Sequence, residues 1–172
     1  MVTGKHIHTD LPLTAIIEER PPGEGDYYTS PERWNIAERG TPGMKLVLKG
    51  HVLDKGANPV PHAWLDFWQA DGNGNYDNTG FNLRGQQYAD HNGGFYLETV
   101  KPAGYKGRAA HINVKVRAAK NTPLLTTQLF FPNDPKTCDD PLFFAENVMD
   151  LTDIEGGQEA NYDFVIDIEQ KL

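Results

Sequence analysis

The chain has 172 residues, with 24 acidic against 16 basic side chains and a net charge of −8. That length holds one domain with a sizeable core. No apolar run approaches the roughly 18 residues of a membrane-spanning helix. With no basic excess to offset phosphate repulsion, nucleic acid is excluded as a partner. Eleven of the acids follow residue 133, where Lys136 and Lys171 are the only bases. The first 133 residues are therefore close to neutral, and the acidity reads as a solvated C-terminal flank. Cys138 is the only cysteine, so neither a disulfide framework nor a CxxC metal site exists. The start, Met1 to Asp10, carries no apolar leader. The expectation is a cytoplasmic protein, with secretion as the alternative for a chain whose leader has been removed.

In chain order, residues 1–40 read as an irregular N-terminal arm and 41–172 as a single β-domain. The arm holds a short helix, with Ser30 as N-cap and Pro31 at the first helical position. Period-two alternation then predicts strands over Leu46–Leu53, Ala63–Trp68, Phe95–Val100, Ala110–Arg117, Leu124–Phe131 and Phe164–Ile168. Turn clusters separate them, among them Asp71–Asn75, Asp90–Gly94 and Pro132–Pro135. Asp140 before Pro141 predicts a second short helical stretch, running to about Asp150. Many short strands with turn chemistry between them predict an all-β sandwich or barrel with few short helices. The arm is also an element suited to contact within a homodimer.

Two loop motifs fail on their spacing. Asp71-Gly72-Asn73-Gly74-Asn75 begins like a calcium loop, but Tyr76 stands where that loop needs glycine and Asn82 where it needs glutamate. Gly72-x-Gly74 is not a dinucleotide loop, because Asp77 replaces the third glycine and no helix follows. The run is read as a tight surface turn.

The strand through residue 111 says more. Ile112, Val114 and Val116 share one face and belong to the core, leaving His111, Asn113, Lys115 and Arg117 on a polar or cleft-lining face. A lone histidine is more often structural than ligating, but its setting is not ordinary. The run Gly50 to Tyr76 includes Asn58-Pro59-Val60-Pro61 and Leu65-Asp66-Phe67-Trp68-Gln69-Ala70-Asp71. With Phe81-Asn82-Leu83-Arg84-Gly85, Lys101-Pro102 ahead of Tyr105, Arg108-Ala109-Ala110-His111 and Thr126 to Pro132, it closely resembles the intradiol ring-cleavage dioxygenases. The resemblance spans roughly residues 44–135 in the family's order, with Ala57 as a turn detail where the signature has Gly or Ser.

The resemblance implies an antiparallel β-sandwich holding a non-haem Fe(III) ion with two tyrosinates and two histidines. By position these are Tyr76, Tyr105 and His111, with Asn113 at the place of the second histidine. Phenolate is a hard anionic donor, and a trivalent cation overcomes its ordinary pKa near 10. The implied activity uses O2 to cleave a catechol-type ring to a muconate-type diacid, part of aromatic compound catabolism. Tyr105 corresponds to the axial tyrosinate that substrate displaces. Arg108 corresponds to the arginine that steadies charge on the substrate, and Gln128 to the glutamine beside it. Asn113 leaves three readings open. Asparagine or water completes the metal's ligands; or the site holds metal poorly, in a binding module or partner subunit; or the cleft serves other chemistry on phenols. His62, or His6 and His8 in the arm, are weaker candidates for a replacement ligand. Trp34, Trp64 and Trp68 are read as the rim of an open aromatic cleft, or equally as core.

Overall fold

Residues that alternate along the sequence alternate across two stacked sheets. The computed structural model describes residues 30–170. Its strands are β1 (Lys45–Asp54), β2 (Trp64–Gln69), β3 (Arg84–Tyr88), β4 (Gly94–Val100), β5 (His111–Arg117), β6 (Leu125–Phe130), β7 (Asp150–Ile154), β8 (Gly157–Asn161) and β9 (Phe164–Ile166). One sheet runs β4-β1-β8-β7, with β9 on the far half of β1; the other runs β3-β2-β5-β6. Neighbours are antiparallel except β1 with β8 and β1 with β9, which are parallel. The fold is the β-sandwich the sequence predicts.

The core lies between the sheets. Leu65 and Phe67 from β2 and Ile112, Val114 and Val116 from β5 face Leu46, Leu48, Phe95, Leu97 and Phe164 of the other sheet, all buried. Phe95 links Phe67 and Phe164 at ring-centre distances of 5.9 and 5.5 Å. Burying such side chains removes about 1.5–3 kcal/mol each of apolar exposure. It also fixes register, since a one-residue slip would turn every one of them outward.

Strand β1 serves two partners in succession, β8 up to Lys49 and β9 from Val52. At the changeover Tyr162 N donates to Lys49 O at 3.1 Å, and His51 N donates to Asp163 Oδ1 at 2.9 Å. A Cβ on Gly50 would collide with the Tyr162 carbonyl. Gly50→Ala is therefore expected to destabilise the chain by about 1–3 kcal/mol, as overpacking against backbone does. The urea-unfolding midpoint checks this.

The helices expected at Ser30 and Asp140 do not form. Residues 32–36 instead lie along two open sheet edges, with Glu32 bridging Gln86 of β3 and Asn35 bridging Glu98 of β4. Ile36 is driven fully into the core. Covering two edges satisfies backbone groups that a single helical turn would leave open. Ser30 donates its hydroxyl to Asp66 rather than capping a helix. Among the described residues after 134 the helical elements are two 3₁₀ turns, Pro135–Asp139 and Ala145–Asn147, and β7 has begun by Asp150. His6, His8 and the rest of the arm before Ser30 lie outside the described residues. Among the described residues, no helix is long and apolar enough to cross a membrane.

Candidate functional site

The candidate site stands on the outer face of the β3-β2-β5-β6 sheet. Register places Asn113 opposite Trp68 on β2 and Gln128 on β6, and His111 opposite Phe130. Ile112 and its apolar neighbours face the core, as the alternation predicts, so His111 and Asn113 point the other way. They are nonetheless buried, at 2 % and 1 % exposure, because loops cover this end of the face. Two of those loops bring in the tyrosines.

Tyr76 follows the Asp71 turn, whose carboxylate accepts from Asn73 N at 2.8 Å and Asn75 N at 3.0 Å. This is the tight turn expected in place of a calcium loop. Past Tyr76, Asp77 organises the next loop. Burial alone would raise its carboxyl pKa, but the backbone N–H groups of Asn82, Thr79 and Gly80 outweigh burial and hold it below the usual range. Arg84, buried in β3, donates through Nε to Asp77 O at 3.1 Å and sets its guanidinium 5.9 Å from the Tyr76 ring centre. The phenol is thus held from behind by a cation over its ring.

Tyr105 and Arg108 sit at the two ends of one hairpin turn. Arg108 N donates to Tyr105 O at 2.6 Å, and the central pair, Lys106 and Gly107, have φ of 41° and 77°. Positive φ at both central positions is what a type I′ turn requires, and glycine at the second meets that at no steric cost. The turn sends the phenol and the guanidinium to the same side of the sheet.

The polar atoms converge on one point. Tyr76 Oη lies 3.3 Å from His111 Nε2, 3.4 Å from Tyr105 Oη and 3.1 Å from Asn113 Nδ2. The Tyr76 and Tyr105 rings meet edge to face with centres 5.6 Å apart. His111 Nδ1 lies 2.7 Å from the Ala109 carbonyl, which can only accept, so Nδ1 carries the proton and Nε2 the lone pair. Donors around a single small cation, with bonds of about 2 Å, stand roughly 3 Å from one another. Two phenols and an oriented imidazole fit a hard, trivalent ion. Among the described residues no group of three or more His, Cys, Asp or Glu side chains offers an alternative centre.

Beside the donors runs a chain of polar contacts. Arg108 donates through Nη2 to Gln128 Oε1, Gln128 Nε2 donates to Asn113 Oδ1 at 2.8 Å, and Asn113 Nδ2 also reaches Trp68 O at 3.2 Å. Arg108 is anchored by Asp140, whose two carboxylate oxygens lie 3.0 Å from Nε. All six residues singled out from the sequence (Tyr76, Tyr105, Arg108, His111, Asn113 and Gln128) are therefore brought together. Sequence reasoning missed Asp140, read only as a helix cap, and Arg84, although Arg84 lies within the Phe81–Gly85 motif. Lys106-Gly107 carries the signal for the hairpin turn, a glycine at its second central position.

Other candidates fall away. His62 is exposed in the turn before β2. Trp34 packs on Tyr96 of β4, at 5.9 Å, against the other sheet. Trp64 donates to Gln86 Oε1 at 2.6 Å and lies under the Arg117 guanidinium. Only Trp68 adjoins the site, by its pairing with Asn113. Its buried indole N–H has no acceptor among the described residues.

A two-sheet sandwich carrying this donor set has clear relatives. The family model described as "Dioxygenase" matches residues 29–168, and the chain belongs to the intradiol ring-cleavage dioxygenase family. It is 30% identical over 127 residues to the protocatechuate 3,4-dioxygenase beta chain of Burkholderia cepacia, covering 63% of this chain and 54% of that one. It is 33% identical over 123 residues to a catechol 1,2-dioxygenase of Acinetobacter baylyi, covering 57% and 39%. Among solved structures, it is similar to the dioxygenase domain of a dioxygenase carbohydrate-binding protein fusion from Streptomyces sp. SirexAA-E. The TM-score is 0.79 at 39% identity, covering 88% of this chain and 97% of that chain. The chain spans about half the length, or less, of these two curated relatives.

Proposed function

We propose that this chain is an Fe(III)-dependent intradiol dioxygenase that opens catechol-type rings with O2 to muconate-type diacids. The observation that carries the reading is the meeting of Tyr76 Oη, Tyr105 Oη and His111 Nε2 within hydrogen-bond distance, next to the Arg108–Gln128 pair. Tyr76, Tyr105 and His111 would hold the ion, which when bound supplies Lewis acidity to the diol and a template for its two oxygens. Both phenols are half-buried. Tyr105, at the position that corresponds to the family's displaced tyrosinate, would be the ligand that moves aside and takes up a proton. Arg108 keeps a fixed positive charge at the edge of the donor set, where charge on a bound diolate is stabilised without reorganisation. Gln128 orients that guanidinium. Phe130, with Phe143 at 5.2 Å and His111 at 6.1 Å, excludes water from the imidazole side.

The test is a single preparation loaded with iron. The expected result is one iron per chain, a visible tyrosinate-to-iron charge-transfer band, and oxygen uptake on adding catechols with a ring-opened product. A protein that stays colourless and takes up no iron overturns the reading. It would favour a metal-poor member. A coloured protein that consumes no oxygen with any catechol would favour other chemistry on phenols.

A further inference from the structure

We infer that Asn113 is a positioning residue that donates its amide N–H to the Tyr76 oxygen, so that among the described residues Tyr76, Tyr105 and His111 are the protein ligands of the centre. The inference rests on the iron-dependent reading above and concerns what replaces the family's second histidine.

The orientation of the Asn113 amide is set from both ends. Arg108 has donors only, so the Gln128 atom facing its Nη2 must be the carbonyl oxygen Oε1. That leaves Gln128 Nε2 toward Asn113, and the atom that can receive it at 2.8 Å is Oδ1. At the other end Trp68 O, a main-chain carbonyl, can only accept, and Asn113 Nδ2 lies 3.2 Å from it. Turning the Asn113 amide over would set Oδ1 against the Trp68 carbonyl and Nδ2 against Gln128 Nε2. Turning Gln128 as well would only move the donor–donor clash to Arg108. At 1 % exposure no bulk water relieves either arrangement.

The face that Asn113 presents to Tyr76 Oη, at 3.1 Å, is therefore an N–H. An amide nitrogen has its lone pair delocalised into the carbonyl and is a poor metal donor. It is a good donor to a phenolate, where the hydrogen bond is charge-assisted. Asn113 thus draws electron density from one tyrosinate, and it does not itself fill the place of a fourth ligand. The carboxylate of Asp140 stands at the far end of the same relay, through Arg108 and Gln128.

Nuclear magnetic resonance on the full ¹⁵N-labelled chain, free and loaded with gallium(III), tests this. Gallium is diamagnetic, redox-inert and of the same charge as ferric iron. The Asn113 side-chain amide pair is assigned on the native chain, labelled with ¹³C as well as ¹⁵N, through its own side-chain carbons. The expected result is cross-relaxation from an Asn113 amide proton to the Tyr76 ring in both states, with the loaded protein showing a downfield shift of that proton. If loading transfers the cross-relaxation to the Gln128 side chain, Oδ1 has turned to the metal and the inference is overturned while the dioxygenase reading stands. If neither the native chain nor Asn113→His takes up gallium or ferric iron, both fall. The native-chain measurement does not depend on how any variant folds.

Discussion

Asp140→Ala is expected to destabilise the fold by about 3–5 kcal/mol, the range for breaking a buried ion pair by removing one partner. The carboxylate is fully buried and the Arg108 side chain only 12 % exposed. Besides the guanidinium, Asp140 accepts from Ala109 N at 2.8 Å and from Leu142 N at 2.9 Å. Alanine would take the carboxylate from the largely buried Arg108 guanidinium and leave two backbone N–H groups without their acceptor at once. Asp140→Asn keeps one acceptor oxygen but turns an N–H toward donors, so its loss should be intermediate. The urea-unfolding midpoints of the three proteins check the order. The damage also has a chemical side. Ala109 supplies the carbonyl that sets the His111 ring, and Arg108 begins the relay to Asn113. Oxygen uptake by the folded fraction of Asp140→Ala should therefore fall as well, and unchanged turnover per folded molecule would mean that Arg108 does not need its anchor.

Most of the sandwich was legible because most of it is amphipathic. Six strands with an apolar inner face were readable from alternation alone, within one or two residues at most ends. β3, β7 and β8 were not. Arg84-Gly-Gln-Gln-Tyr88 and Gly157-Gln-Glu-Ala-Asn161 carry little apolar alternation, because cross-strand and edge hydrogen bonds hold them. Gln86 alone spans Trp64 Nε1 and Ser30 O. The two expected helices fail for different reasons. Cap and proline signals describe what a segment does when left to itself. Open sheet edges gave residues 32–36 more hydrogen bonds than a single turn of helix could. The Asp140 carboxylate, by contrast, is taken up by Arg108, Ala109 N and Leu142 N, and the stretch after it closes in local turns.

The site divides in the same way. The residue types at positions 76, 105, 108, 111, 113 and 128 could be picked out in the chain, and strand alternation put His111 and Asn113 on one face. What each side chain offers could not be read. Whether Asn113 turns oxygen or nitrogen toward Tyr76 depends on Gln128, Arg108 and the Trp68 carbonyl, partners brought together only by the register of three strands. Asp140 is a similar case. In sequence it looks like a cap, and its charge acquires a partner only when residues 32 positions apart are folded against each other.

Tyr76→Phe should separate function from fold most sharply. Tyr76 Oη is the atom that Tyr105, His111 and Asn113 all meet, so losing it removes one proposed ligand and the common hydrogen-bond point of the other three side chains. Iron(III) affinity is expected to fall by more than about 100-fold, since even partners that merely orient a ligand are worth about 10–100-fold. The visible band and oxygen uptake should go with it. Stability should change by only about 1 kcal/mol, the net worth of an ordinary hydrogen bond. Asn113 Nδ2 keeps the Trp68 carbonyl, His111 Nδ1 keeps the Ala109 carbonyl, and the aromatic ring keeps its place over Arg84. Iron titration followed in the visible, beside urea unfolding of the same samples, reads both effects. A variant that retained iron and colour would mean that Tyr105 and His111 bind it without Tyr76, and the donor set would have to be drawn around a different point of the cleft.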